Sequence, residues 1–481
     1  MTVGPASLAN PSTPAAAAPS LARIASRLSF AAAPAVLNAA FDGAAPRGPT
    51  EPTSVSEGGA LAAPTRLKRL PRERGANGRE VPRPSGLRAL VRTHYLGILH
   101  DTAFKTFFSA WVTATLAPAQ SGLFVSLATA LFTAPYLLLS VWSGRLADRT
   151  DKARLISRLQ AVELVLEAAG AAALVMGSPW AALAVVGLLG TRSAVMSPAK
   201  YSLLAERVPA DGLSSANGWL ELSTFLSLVV GTALGGALAS WGAGPFASLA
   251  FGSMALLGWW ASRMLSVAAP ATPAPPVSGP VPRMPWNLVR TSLAIAFFWL
   301  LSSVIQMNIF LYGAQALGVG TGTVTALLTA IGLSTGVGAL LAGRLSKDKV
   351  QLGVVPLGAI GVALFLLDLG LFGAGSLARA FIDLSLLSAA AGFFYIPLNA
   401  HLQKESPPEA RGRFLGLSNL MTFAAILASA GLYWLLGSAL ALTPAGVFTA
   451  TAAIAAVGAA ATAWFLRAPL ADFLRRHKRP A

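Results

Sequence analysis

Gly144-Arg145-Leu146-Ala147-Asp148-Arg149-Thr150-Asp151-Lys152-Ala153-Arg154 is a dense run of charge set between two long apolar stretches. A weaker echo, Gly343-Arg344-Leu345-Ser346-Lys347-Asp348-Lys349, lies 199 residues further on. A second pair of landmarks, Ser197-Pro198-Ala199-Lys200 and Ile396-Pro397-Leu398-Asn399, repeats at that same offset of 199. Two unrelated blocks repeating at one spacing imply a duplicated chain.

Composition sets the class. The chain has 481 residues, of which 54% are hydrophobic and 11% charged, with a mean hydropathy of +0.63. That is more apolar surface than a soluble domain can bury, so an integral membrane protein is expected. Cysteine is absent, which excludes disulfides, thiolate metal sites and a cysteine nucleophile. Four scattered histidines suggest no zinc cluster, and neither a metal nor a cofactor is expected. A net charge of +17 would point to nucleic acid in a soluble protein; here the bases are explained by their placement around a membrane, and no nucleic-acid partner is expected.

Apolar spans of the ~20 residues that cross a bilayer core fall at 93–117, 121–142, 155–176, 179–201, 213–240, 245–265, 291–315, 320–342, 350–373, 376–400, 413–436 and 445–467. Connections after the even-numbered spans carry the bases, among them Arg145, Arg149, Lys152, Arg154, Arg207, Arg283, Arg344 and Lys404. Those after the odd-numbered spans carry no Lys or Arg. By the positive-inside rule both termini are cytoplasmic and the number of spans is even. The domain reading follows: 1–85 a disordered Ala/Pro-rich and then basic cytoplasmic tail, 86–266 a six-helix bundle, 267–290 a Pro-rich cytoplasmic linker, 291–467 a second six-helix bundle, and 468–481 a basic cytoplasmic tail. The bases from Arg66 to Arg92 suit anionic lipid at the inner surface. The fold class expected is an all-α membrane protein of twelve transmembrane helices in two six-helix halves.

With that layout, the opening stretch resembles the signature loop between helices 2 and 3 of the major facilitator superfamily, through Gly144, Leu146, Ala147, Asp148 and Arg149. Asp151 and Ala153 depart from the family pattern, which has Gly and a base there. The resemblance implies a latch that closes the cytoplasmic side in the outward-facing state, with Gly144, Asp148, Arg149 and Arg154 as gating residues and Gly343 and Arg344 as their second-half echo. A narrower resemblance, to the lysophospholipid transporter branch, rests on Tyr95-Leu96-Gly97, His100-Asp101-Thr102-Ala103-Phe104-Lys105, Ser197-Pro198-Ala199-Lys200-Tyr201, Ala216-Asn217-Gly218 with Glu221, and Gly392-Phe393-Phe394-Tyr395-Ile396-Pro397-Leu398-Asn399-Ala400 with Gln403. It implies movement of lysophosphatidylethanolamine-like lipids across or between leaflets of the inner membrane, a monomer, and an acyltransferase as a separate protein. Where some members of the branch carry a base in helix 7, this chain has Gln306.

Ionisable residues inside the spans are functional candidates by default, since each costs several kcal/mol unless paired or hydrated. Asp101, Glu163, Glu221 and Arg192 each fall eight or nine residues from the cytoplasmic end of their span, or ~12 Å at the helical rise, and so share a layer. Lys105 lies one turn from Asp101 and Glu167 one turn from Glu163, so that Asp101 and Lys105 can neutralise each other while the two glutamates need Arg192 or a proton. Gln306 and Asn308 are the uncharged candidates of the second half. A zwitterionic headgroup is expected on the charged layer, with the acyl chain along spans 7, 8, 10 and 11. Pro198, Pro397, Asn217 and Asn399 are read as hinge or packing positions, Pro198 and Pro397 as sites where a helix kinks or ends. Arg379 and Asp383, one turn apart, are expected to form a local ion pair.

Two other function classes remain: a facilitator of small solutes or drugs, proton-coupled through Asp101, Glu163 or Glu221, and an enzyme. No histidine is followed by Asp at the His-x-x-x-x-Asp spacing of an acyltransferase, so catalysis is not expected.

Overall fold

The computed structural model describes residues 84–267, 282–346 and 350–477. The expected tail up to position 83, most of the Pro-rich linker and the echo's Lys347, Asp348 and Lys349 lie outside the described residues. Within them the chain is helical, with no strand. The α-helices are α1 (Pro84–Thr115), α2 (Pro118–Arg149), α3 (Lys152–Val175), α4 (Pro179–Arg207), α5 (Leu213–Ser240), α6 (Pro245–Val267), α7 (Trp286–Gln315), α8 (Thr321–Leu345), α9 (Val355–Phe372), α10 (Leu377–Glu405), α11 (Arg411–Trp434), α12 (Pro444–Phe465) and α13 (Arg467–His477).

Local chemistry sets many of the starts. Pro118, Pro179 and Pro444 occupy first-turn positions, where a missing N–H costs nothing. Side-chain oxygens of Asp151, Ser178 and Thr443 accept hydrogen bonds from the backbone N–H of Arg154, Ala181 and Gly446 at 2.8, 3.4 and 3.1 Å. Asp151, a departure from the family loop, therefore has work of its own as the cap of α3.

Nine of the described helices, α2, α4, α5 and α7–α12, are long and apolar enough to cross a membrane. Their outer faces carry large apolar side chains that a water-soluble protein would hide, such as Leu138 at 76% exposure and Val457 at 71%. The helices outside that group are informative. In α1 and α3 the average is lowered by His100, Asp101, Lys105, Glu163 and Glu167, of which all but Lys105 are buried and meet one another.

Two of the apolar clusters that build the core show how it is divided. Phe104, Phe107, Phe108, Phe124 and Phe251 pack together from α1, α2 and α6, while Phe298, Phe394, Tyr395 and Phe414 belong to a cluster drawn from α7–α12. Between the two sets run α2 against α11 and α5 against α8, both at the ends that carry the basic loops. Close approach there depends on glycine: a Cβ on Gly218 would stand 2.6 Å from the Ala339 carbonyl oxygen, and one on Gly343 2.8 Å from Ser215 Cα.

Some expectations change. α1 begins at Pro84, nine residues before the expected span, so Arg88 and Arg92 lie on the helix. The final basic stretch is not a plain tail: α13 packs Phe473 against Gly353 of the 3-10 turn Leu352–Val354. Pro198 and Pro397 end nothing, because α4 runs on to Arg207 and α10 to Glu405. Neighbouring helices in a membrane bundle can satisfy the carbonyls that a proline leaves open.

Candidate functional site

Five ionisable side chains from α1, α3 and α4 form one buried group. The Arg192 guanidinium lies 2.7 Å from Asp101 and 3.2 Å from Glu163, and its Nη1 donates to Gln160 Oε1 at 2.8 Å. Asp101 also accepts from Ser193 Oγ at 2.5 Å. On the other side of the carboxylates stands His100, whose Nδ1 is 3.0 Å from Glu163 and Nε2 2.9 Å from Glu167. The imidazole is fully buried, stacked on Phe104 and met edge-on by Phe251. Charges removed from water at this depth persist only when paired, and the pairing explains how α1 and α3 tolerate them. His100, Asp101 and Glu163 bring potential cation-binding atoms within 4.8 Å of one another. Arg192 already supplies the cation there. Lys105, half-exposed one turn further along α1, rests 5.1 Å above the Phe132 ring.

Glu221 stands in a second network. It accepts from Tyr201 Oη at 2.9 Å and also contacts Tyr395 of α10, so α4, α5 and α10 meet at one carboxylate. Lys200 covers the Tyr201 ring at 4.4 Å and approaches His94 Nδ1 at 3.2 Å. His94 Nε2 in turn meets Thr224 Oγ1 at 2.8 Å. Nearer the basic loops, Asn217 and Gln403 exchange amide hydrogen bonds at 3.0 and 2.8 Å, tying α5 to α10.

The opening loop makes a third contact. Asp148 accepts backbone hydrogen bonds from Gly412 at 2.6 Å and Arg413 at 2.8 Å, at the N-terminus of α11. An anion there meets both the unpaired N–H groups and the positive end of the helix dipole. A Cβ on Gly144 would fall on the Gly412 carbonyl oxygen and lie 2.9 Å from Arg413 Cα. Beside it, Lys152 and Glu206 form a 2.7 Å ion pair that joins α3 to α4.

The profile of the Major Facilitator Superfamily matches residues 95–430. The chain belongs to this superfamily. It is 32% identical over 325 residues to the lysophospholipid transporter LplT of Pectobacterium carotovorum, covering 63% of this chain and 75% of the relative. With LplT of Citrobacter koseri it shares 28% over 374 residues, covering 72% and 87%. Among solved structures it resembles the human organic anion transporter MFSD10, with a TM-score of 0.61 at 16% identity over 79% of this chain and 100% of the other. For FucP in its outward conformation the TM-score is 0.60 at 12% identity, over 78% and 98%. Such identities show the fold alone. This facilitator is a transporter rather than an enzyme, and an integral multi-pass protein of the inner membrane.

Of the residues singled out in the sequence, Asp101, Glu163, Glu167 and Arg192 come together. Lys105 does not meet Asp101, which Arg192 holds instead. Glu221 faces the tyrosines and not the arginine group. Gln306 is exposed, and Asn308 is buried with its Nδ2 on the Pro444 carbonyl at 2.8 Å, a bond that ties α7 to α12. In the loop, Gly144 is buried while Arg149 and Arg154 are exposed; in the echo, Gly343 is buried and Arg344 exposed. Asn399 is buried with no partner for its Nδ2. Arg379 binds Asp368 of α9 at 2.7 and 3.1 Å, not Asp383. Sequence reasoning missed His100, Gln160 and Ser193. Gln160 and His100 lie one turn or less from charges already noted, a signal that helical spacing could have supplied.

Proposed function

We propose that this facilitator moves a lysophospholipid, of the lysophosphatidylethanolamine type, between membrane leaflets by alternating access. The observation that carries this reading is an asymmetry. Charge is gathered on α1, α3 and α4, while the crevice between α7, α9, α10 and α12 is apolar, lined by Phe298, Leu301, Ile305, Val362 and Phe394, small at about 20 Å3 and partly open. An amphiphile needs both surfaces. Lys105, the base not enclosed by carboxylates, suits the phosphate, and Asp101 suits the amine. The acyl chain lies against this apolar surface, which widens to admit it, with α9 and α12 in place of the expected α8 and α11 as its walls. Similarity to two proteins named lysophospholipid transporters supports the same substrate class.

In this reading α1–α12 all cross the membrane, with both termini cytoplasmic and the halves meeting at the linker. Charge in α1 and α3 is no obstacle, because it faces inward. The contacts of Asp148, Gly144, Gly218 and Gly343 close the cytoplasmic side, and the conformation is outward-facing. The protein works as a monomer, and re-acylation belongs to a separate acyltransferase. The test is reconstitution of the full-length chain in liposomes with labelled lysophosphatidylethanolamine. Protein-dependent movement is expected, with little competition from water-soluble solutes. Competition by such solutes and no lipid movement would favour a small-solute facilitator.

A further inference from the structure

Because Arg379 gives Nη2 and Nε to Asp368, at 2.7 and 3.1 Å, Asp383 is left without the cation that its spacing in α10 suggested. Asp383 is the seventh residue of α10, at the end away from the basic loops, and is only 5% exposed. Its Oδ2 has no hydrogen-bond donor among the described residues. Tyr312 of α7 borders it, but the Tyr312 hydroxyl donates to the Leu369 carbonyl at 3.1 Å. The Asp368 carboxyl is within hydrogen-bonding range of Asp383, and when ionised it too is only an acceptor. A buried carboxylate without a donor is costly. Inside a membrane protein such a group marks a ligand or its path.

The surface next to Asp383 says which ligand. Asp383, Leu387 and Ala391 follow one another at intervals of four residues and so share one face of α10. Leu387 and Ala391 line the apolar crevice. On α7, Ile305 of the crevice and Tyr312 are seven residues apart and share a face in the same way. The crevice therefore runs along two helices towards the unpartnered carboxylate. A cationic head joined to an apolar tail fits that order of surfaces. A hard metal ion fits it less well, since Ca2+ takes six to eight oxygens and has no use for the apolar surface. A primary ammonium brings three N–H donors to carboxylates that have none.

We propose that Asp383, with Asp368 beside it, is a second ammonium-binding site, which takes the ethanolamine group of a lysolipid before it reaches Asp101. This rests on the proposed substrate and on the proposed orientation, in which the end of α10 away from the basic loops faces the outer leaflet. A lysolipid lying in that leaflet points its head outward and its chain towards the midplane. Asp383 and the crevice stand in that same order. The chain stays against the crevice while the head passes from one carboxylate to the other.

Two measurements on the full-length protein test it. In proteoliposomes, half-saturating concentrations are compared for lysophosphatidylethanolamine and for lysophosphatidylglycerol, whose head has no amine. In Asp383→Asn the ratio of the first to the second should rise about tenfold, the loss of one charge-assisted hydrogen bond, and Asp383→Glu should restore part of it. An unchanged ratio overturns the site, because a merely structural carboxylate would affect both lipids alike. The second measurement needs no lipid movement: calorimetric binding of dodecylammonium to the solubilised protein in an Asp101→Asn background, which lacks the other proposed amine contact. Adding Asp383→Asn should weaken that binding about tenfold; equal binding sinks the proposal. Weakened dodecylammonium binding with no movement of either lysolipid keeps the ammonium site and removes the lipid. Lysolipid movement with an unchanged ratio keeps the lipid and removes the site.

Discussion

α1–α6 and α7–α12 solve the same packing problem with different materials. In the first set an imidazole, a guanidinium and three carboxylates lie buried in one network. In the second, Phe298 stacks on Tyr395 with ring centroids 4.9 Å apart and the neighbouring cavity is apolar. The ion pair of the second set, Arg379 with Asp368, sits where both side chains are substantially exposed. One set of packed helices thus holds charge that has to be paired, and the other holds surface that only has to be filled.

Removing the guanidinium should break the comparison most severely. Arg192→Leu leaves two carboxylates, Asp101 and Glu163, without their cation, and a loss of about 3–5 kcal/mol of stability is expected, read as a lower unfolding temperature in detergent. Arg192→Lys should recover part of it. Asp101→Asn keeps the size of the side chain but removes the charge offered to the headgroup. Losing one charge-assisted contact predicts a fall in lipid movement of roughly 10- to 100-fold, with a smaller drop in unfolding temperature than Arg192→Leu because Arg192 keeps Glu163 as a partner.

Gly144→Ala tests the seam between the two sets rather than either alone. The new methyl falls on backbone of α11, and overpacking of this kind costs about 1–3 kcal/mol. Because the chain has no cysteine, Ser197→Cys gives a single reporter at the α4–α11 hydrogen bond to Asn419. Faster labelling of that cysteine in the Gly144→Ala background is the expected result. In the apolar set, Ala391→Leu fills part of the cavity. It should shrink the preference for a sixteen-carbon over a twelve-carbon lysolipid, which a buried chain otherwise gains at ~0.8 kcal/mol per methylene; an unchanged preference places the chain elsewhere. Smallest of all, Arg379→Ala should alter neither unfolding nor transport, since an exposed pair contributes little.

The helices and their order were legible in the sequence because the physics is one-dimensional: a bilayer demands a long apolar run, and basic loops mark alternate ends. The same economy explains the misses. α13 reads as a charged tail because its apolar residues are few, and only its contact with Gly353 shows what they cover. At the site, depth along a helix put Asp101, Glu163, Arg192 and Glu221 in one layer. Depth does not give azimuth, and Glu221 turns to Tyr201 while the others turn to one another. His100 falls within a quoted motif but does not stand out as a site residue, since a lone histidine beside an aspartate carries no mark of its own.

By itself, the sequence determined that this chain lives in a membrane, that its landmark blocks repeat at an offset of 199 residues, and that Gly144 and Asp148 stand at a special loop. Those properties depend on runs of residue type and on spacing, which survive without coordinates. Which charges meet was decided by the tertiary structure. Arg192 lies 91 residues from Asp101 and 29 from Glu163, and Asp148 reaches α11 across 264 positions. Such partners are chosen by how helices rotate and cross when they pack, a choice no single helix carries in its own sequence.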